Sequence, residues 1–265
     1  MSGSGVTGLA RRVALVVTLP ALLFAAWWFA SAGSTNIYAP PLSQIVEQFR
    51  LVWIEGDRFV ADVLPSLARL ATGYSIAVVA GVVLGVVLGS SRTARQVFEP
   101  LLEFFRAVPA PVLIPVLILL AGIGTTQKVL VIASGCIWPV LLNTVEGVRA
   151  TDSTLADTCR SYGITGAARL RHLVLRSASP QIVTGMRQAL SIAVILMVIS
   201  EMFASDNGIG YAVLDFQRSF AIPEMWSGIL LLGILGVVLS VVFRVFEQRT
   251  LAWYYGLRRA QRDGS

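Results

Sequence analysis

A chain of 265 residues in which 55% are apolar and 14% charged, with a mean hydropathy of +0.74, carries more apolar side chains than a soluble core of that size needs. Composition therefore excludes an ordinary soluble enzyme or binding module and places the chain in a membrane. The net charge of +6 does not mark a nucleic-acid binder, because the arginines are spread over separate loops; it reads as membrane topology and contact with anionic lipid headgroups.

Crossing the roughly 30 Å hydrocarbon layer takes a helix of about 20 mostly apolar residues. Runs that meet this rule lie at about 13–32, 66–89, 101–123, 128–148, 182–204 and 225–246. They predict an all-α polytopic protein with about six transmembrane helices. Glycine and proline inside these runs are common in membrane helices, and the short alternating segments of a membrane β-barrel are not what these runs show. The expected order is a cytoplasmic tail over 1–12, a first transmembrane helix over 13–32, and an extracytoplasmic segment over 33–64. A five-helix core follows over 65–246, with a cytoplasmic loop at 149–180, and then a cytoplasmic tail over 247–265.

Arginine placement sets the orientation. With six spans, Arg11, Arg12, Arg92, Arg95, Arg149, Arg160, Arg169, Arg171, Arg176, Arg249, Arg258, Arg259 and Arg262 share one side. The other side holds Arg50, Arg58, Lys128 and Arg218 beside most of the loop acids. Positive charge stays in the cytoplasm, so both termini and the 157–176 loop are expected there. One alternative concerns the first run: Arg11-Arg12, an apolar stretch and Ala30-Ser31-Ala32 resemble a cleaved secretory signal. The run is longer than a usual signal core, and Trp27-Trp28 read better as an interfacial belt.

In chain order, Leu42, Ile45, Val46, Phe49 and Val52 after Pro40-Pro41 fall at helical spacing on one face. That face suits a short helix at the membrane surface, or equally one packed on neighbouring helices. Gly81, Gly85 and Gly89 form a strip of small residues at four-residue steps, where another helix backbone can come close. Pro109, Pro111 and Pro115 remove backbone donors from the third run and bend or break it, which suits either a pathway lining or a structural kink. Glu201 toward the outer end of the fifth run and Arg187 toward its inner part need a partner or water, and Arg187 can also snorkel. About 21 Å apart along a straight helix, the two cannot pair with each other. Pro109, Pro115, Arg187 and Glu201 are the candidates for a pathway or gate. Cys136 and Cys159 lie in different surroundings and form no expected bridge, and the lone His172 offers no metal centre.

The most informative segment is polar and rich in arginine, between two apolar runs: Asp157-Thr158-Cys159-Arg160-Ser161-Tyr162-Gly163, nine residues, then Leu173-Val174-Leu175. Gly163 lets the chain turn, and Ile164 to Leu173 suit a short helix with Thr165 as N-cap. Ala167 and Ala168 allow close approach, Leu170 and Leu173 give apolar contact, and Arg169 and Arg171 bring charge. No glycine-rich phosphate loop ending in Gly-Lys-Ser/Thr occurs, and Lys128 is the only lysine. Energy for uphill transport would thus come from another polypeptide.

This loop resembles the "EAA" loop of ATP-binding-cassette importer permeases, whose pattern runs Glu-Ala-Ala, three residues, Gly, nine residues, Ile-x-Leu-Pro. Gly163, Leu173 and Leu175 fill matching positions; Asp157, Thr158, Cys159 and Arg176 replace Glu, Ala, Ala and Pro. Further short stretches are similar, in the same order, to the nitrate/sulfonate/taurine branch of that family. They are Ser66-Leu67-Ala68-Arg69, Arg106-Ala107-Val108-Pro109, Gly122-Ile123-Gly124, Asn143-Thr144, Thr184-Gly185-Met186-Arg187, Ser200-Glu201-Met202 and Gly208-Ile209-Gly210-Tyr211. The resemblance implies a homodimer of six-helix subunits, ATPase subunits carrying ATP and Mg²⁺ docked on the loops, and an external solute-binding protein. It assigns no cofactor to this chain. The implied cargo is a small anion such as nitrate, a sulfonate or taurine, with a thiamine precursor or other small organic nutrient as alternative. A secondary transporter would be longer, with internal repeats and midplane charges, and a channel would need a filter-like ring. An enzyme would need clustered His, Asp, Glu or Cys.

Overall fold

A computed structural model describes residues 4–256, the segment 4–17 by backbone alone. Among the described residues all regular structure is helical: α1 (Ser4–Ser31), α2 (Leu42–Phe49), α3 (Leu64–Ser90), α4 (Arg92–Ala107), α5 (Ile114–Ala121), α6 (Thr125–Arg149), α7 (Ser153–Ser161), α8 (Gly166–Arg169), α9 (Leu175–Met202), α10 (Ile209–Arg218) and α11 (Ile222–Thr250). Among the described residues four stretches are long and apolar enough to cross a membrane: Phe59–Ser90, Thr125–Arg149, Gly166–Met202 and Ile222–Thr250. A fifth is the pair Arg92–Ala107 and Ala110–Ala121, bent by 83°, and the apolar stretch Thr18–Ser31 of α1 is shorter.

Two of the expected runs change shape. The third is no single helix: α4 stops at Ala107, and the chain restarts at Ala110 after Pro109. Pro109 marks the break because it cannot donate to the preceding turn. Pro111 and Pro115 each sit at the start of a helical segment, where the missing N–H has no intrahelical acceptor to lose. The fifth run is longer than its apolar core, since the helix runs from Gly166 to Met202 through a π-helical stretch at Leu170–Val174. Pro180 does not end it. Ser179 Oγ donates to the Arg176 carbonyl at 2.9 Å, replacing the donor that Pro180 lacks.

The chain divides into two compact units. One takes in Ala212–Leu231 together with the described residues through Phe59. In it Leu42 and Ile45 are buried while Val46 stays exposed, so the α2 face packs on protein. Buried Trp53 donates its indole N–H to Ser227 Oγ at 2.9 Å, and Arg58 lies over the Phe216 ring and pairs with Asp215 at 3.4 Å.

The second unit takes in Val60–Tyr211 and the chain after Leu231, and its centre is α6 between α3 and α9. Gly73, Ala77, Gly81, Gly85 and Gly89 recur every four residues along α3 and face α6. A Cβ on Gly81, Gly85 or Gly89 would come within 2.9, 2.5 and 2.8 Å of the Cβ atoms of Val140, Thr144 and Val148. Without side chains on that strip the two backbones close together, and Val131, Ile132, Cys136 and Val140 are shut away completely. Gly147 and Gly185 do the same between α6 and α9, where a Cβ would meet Gln181 or the Pro139 carbonyl.

Candidate functional site

At one end of the second unit, α3 and α9 bring their charged residues together. Ser66 and Arg69 sit three residues apart in the first turns of α3, hence on one face, and Glu201 sits in the last turn of α9. Arg69 Nη1 lies 2.9 Å from Glu201 Oε1, with side-chain exposures of 5% and 0%. Ser66 Oγ is 2.7 and 2.9 Å from the two carboxylate oxygens, and the Gly210 N–H donates to Oε2 at 3.1 Å. Such a carboxylate is fully partnered, which is what a buried charge requires.

The same residues hold the segment that follows α9. Arg69 donates to the Asn207 carbonyl at 3.2 Å and to its side-chain oxygen. The Gly208 N–H donates to Asp62 Oδ1 at 2.8 Å and the Ile209 N–H to Ser66 Oγ at 2.9 Å. Gly208 has φ +119°, and a side chain there would run into the Glu201 carboxylate. Lys128, also buried, donates to the Gly124 carbonyl at 3.2 Å and feels the charges of Arg69, Glu201 and Asp206. The cluster holds no free nucleophile or open carboxylate; it is a latch that fastens the 203–210 segment to α3.

The other gate candidates do not join this cluster. Arg187 pairs with Glu247 of α11, whose Oε1 accepts the Tyr255 hydroxyl at 2.9 Å. Pro109 and Pro115 are exposed on the α4–α5 stretch. Sequence reasoning kept Glu201 and Arg187 apart but did not find the partner of either. Ser66-Arg69, Ser200-Glu201 and Gly208-Ile209-Gly210 were visible as separate short motifs; the structure makes them one site.

The polar loop is built from α7, a turn and α8. Asp152 caps α7, its carboxylate accepting the Thr154 N–H at 2.7 Å. Asp157 and Arg160 form an exposed ion pair at 3.2 Å. The chain reverses at Gly163, with φ +66° and nothing within 4 Å of where a Cβ would be. Glycine stands there for its backbone conformation and not for space. The short helix expected over 164–173 is corrected: it starts at Gly166 and has no end at Leu173, continuing into α9. Thr165 holds the N-cap position without a side-chain cap bond. Ile164, Ala167, Ala168, Leu170 and Arg171 are exposed, and Leu173 and Val174 turn inward.

Fold and site together define a polytopic helical membrane protein with an exposed polar loop at one end of the long Gly166–Met202 helix and a buried ionic latch at the other. Residues 77–251 match the family described as "Binding-protein-dependent transport system inner membrane component". The chain belongs to that family and is a permease subunit of an importer of this type. It is 28% identical over 254 residues to the taurine transport system permease protein of Escherichia coli (strain K12), covering 93% of this chain and 92% of the relative. It is 27% identical over 221 residues to the bicarbonate transport system permease protein of Synechococcus elongatus, covering 80% of each. A crystal structure titled as an amino acid ABC transporter with histidines shares the fold, with a TM-score of 0.54 at 17% identity. That match spans 82% of this chain and 99% of the other.

Proposed function

We propose that this chain is the membrane-spanning part of an ATP-driven importer for a small sulfonate- or bicarbonate-like anion. The cargo class rests on the taurine and bicarbonate relatives. On this reading an external binding protein delivers the solute, and separate ATPase subunits hold ATP and Mg²⁺. Two copies of the permease enclose the path, with both termini and the 149–180 loop in the cytoplasm, as the arginine distribution favours.

The observation that carries the reading is the continuous helix from Gly166 to Met202. Its first turn lies beside the exposed Asp157–Arg160 pair and the Gly163 turn, and its last turn carries Glu201. At 1.5 Å per residue it spans about 55 Å. An ATPase gripping Asp157, Arg160, Gly163, Ile164, Thr165, Ala167, Ala168, Leu170 and Arg171 would act, across the Gly163 turn and the π-helical stretch at Leu170–Val174, on the helix whose far end carries Glu201. Leu173 anchors that lever to the core.

The test is uptake into proteoliposomes holding the permease with the ATPase and binding protein that co-purify with it. Taurine, an alkanesulfonate, nitrate and bicarbonate are offered in turn. ATP-dependent accumulation of at least one of these anions is expected, and a bound ATPase should shield a label placed by Tyr162→Cys. Accumulation driven by an ion gradient without ATP refutes the assignment.

A further inference from the structure

A second polar feature of this unit lies away from the latch. The ends of α3, α6 and α8, the start of α4 and Ala156 of α7 border an open cavity of about 590 Å³, lined by Arg92, Arg95, Arg149, Arg169, Ser90 and Thr151 among others. Four guanidinium groups line it and no carboxylate does. Arg149 pairs with exposed Glu146 at 2.9 Å, and Arg95 also walls an adjoining cleft that contains Glu99, Glu103 and Glu146. Among the described residues, Arg92 and Arg169 have no carboxylate partner. Thr151 Oγ1 is buried and makes no hydrogen bond.

Converging like charges repel, and a buried hydroxyl without a partner costs free energy. One ligand chemistry relieves both. Guanidinium forks bind tetrahedral oxyanions through paired N–H donors, and a threonine hydroxyl adds a further donor. We propose that this cavity binds an oxyanion of the phosphate or sulfate type, supplied either as a lipid headgroup or free in solution. The occupied cavity ties Arg169, on the polar loop, to Arg92 on α4 and Arg149 on α6. It thereby stiffens the base of the loop.

The test uses the full chain in nanodiscs. In zwitterionic lipid, calorimetry follows titration with inorganic phosphate and with sulfate, against chloride at equal ionic strength. In mixed lipid, native mass spectrometry compares retained phosphatidylglycerol with phosphatidylcholine. Loss of one charge-assisted contact is expected to weaken binding roughly tenfold in Arg92→Ala and in Arg169→Ala, with Arg169→Lys in between. Arg218→Ala, outside the cavity, controls for net charge and should leave binding unchanged. Phosphate or sulfate binding without phosphatidylglycerol retention assigns the free anion. Retained phosphatidylglycerol that phosphate displaces assigns the headgroup. The proposal is overturned if neither oxyanion nor phosphatidylglycerol is preferred over its control, or if the cavity variants bind like Arg218→Ala. A thermal melt in each case shows whether these exposed substitutions leave the fold intact.

Discussion

Removing Arg69 should cost more than any surface substitution, because its partner would stay behind. In Arg69→Ala, Glu201 keeps Ser66 and the Gly210 N–H but loses its ion-pair partner among the described residues, while both oxygens of Asn207 lose a donor. Breaking a buried pair from one side costs about 3–5 kcal/mol, chiefly through the charge left unpaired. Arg69→Met combined with Glu201→Gln removes both charges with little change of volume. That double variant should be less destabilised than the sum of Arg69→Met and Glu201→Gln measured singly by about 1–3 kcal/mol. The assay is equilibrium unfolding of the purified permease in mixed micelles, closed as a double-mutant cycle. Additive singles each costing under about 1 kcal/mol would show that Glu201 is stabilised by solvent or lipid and not by this latch.

Outcomes at four glycines follow from the backbone. Gly85→Ala places a Cβ 2.5 Å from the Thr144 Cβ, so its gain of about 1 kcal/mol in helix propensity should be outweighed by 1–3 kcal/mol of overpacking. Gly233→Ala, with nothing within 4 Å, should be neutral or stabilising in the same unfolding assay. At Gly163, φ +66° with open space around it makes Asn tolerable and Val costly by about 1–2 kcal/mol of local strain. Gly163→Val is therefore expected to lower uptake per ATP hydrolysed while Gly163→Asn stays near wild type; equal loss in both would mean that side-chain bulk, not conformation, matters. Gly208→Ala combines φ +119° with collision against Glu201, and should lower stability by about 1–3 kcal/mol in the same unfolding assay.

Periodicity made much of this fold readable. The four-residue glycine strip on α3 announces a close helix contact, because small residues at that interval lie on one face whatever the partner is. The same rule, carried two steps back, would have added Ala77 and Gly73. The identity of the opposing helix was not readable, since nothing in α3 says that Val140, Thr144 and Val148 stand across from it. The end of the loop helix was misjudged for a local reason. The expected loop runs through residue 180, but Ser179 Oγ repairs the hydrogen bond that Pro180 breaks, and the helix continues. Proline in the third run was informative in type but not in position, because only Pro109 falls where a preceding turn has a bond to lose.

The latch was illegible for a different reason. Arg69 and Glu201 are each near the end of an apolar run, where a lone charge can reach water or lipid headgroups unaided. Their meeting depends on α3 and α9 both packing against α6, a property of the bundle and not of either segment. That dependence has a mechanical consequence. The glycine strip fixes α3 against α6 along its length, whereas α9 contacts α3 much less and carries the polar loop at its other end. α9 is itself closed onto α6 at Gly147 and Gly185, so a displacement of the loop would load that contact as well as the fastening of Glu201 to Arg69 and Ser66 at the far end. On the proposed importer reading, the 203–210 segment moves only when that fastening yields.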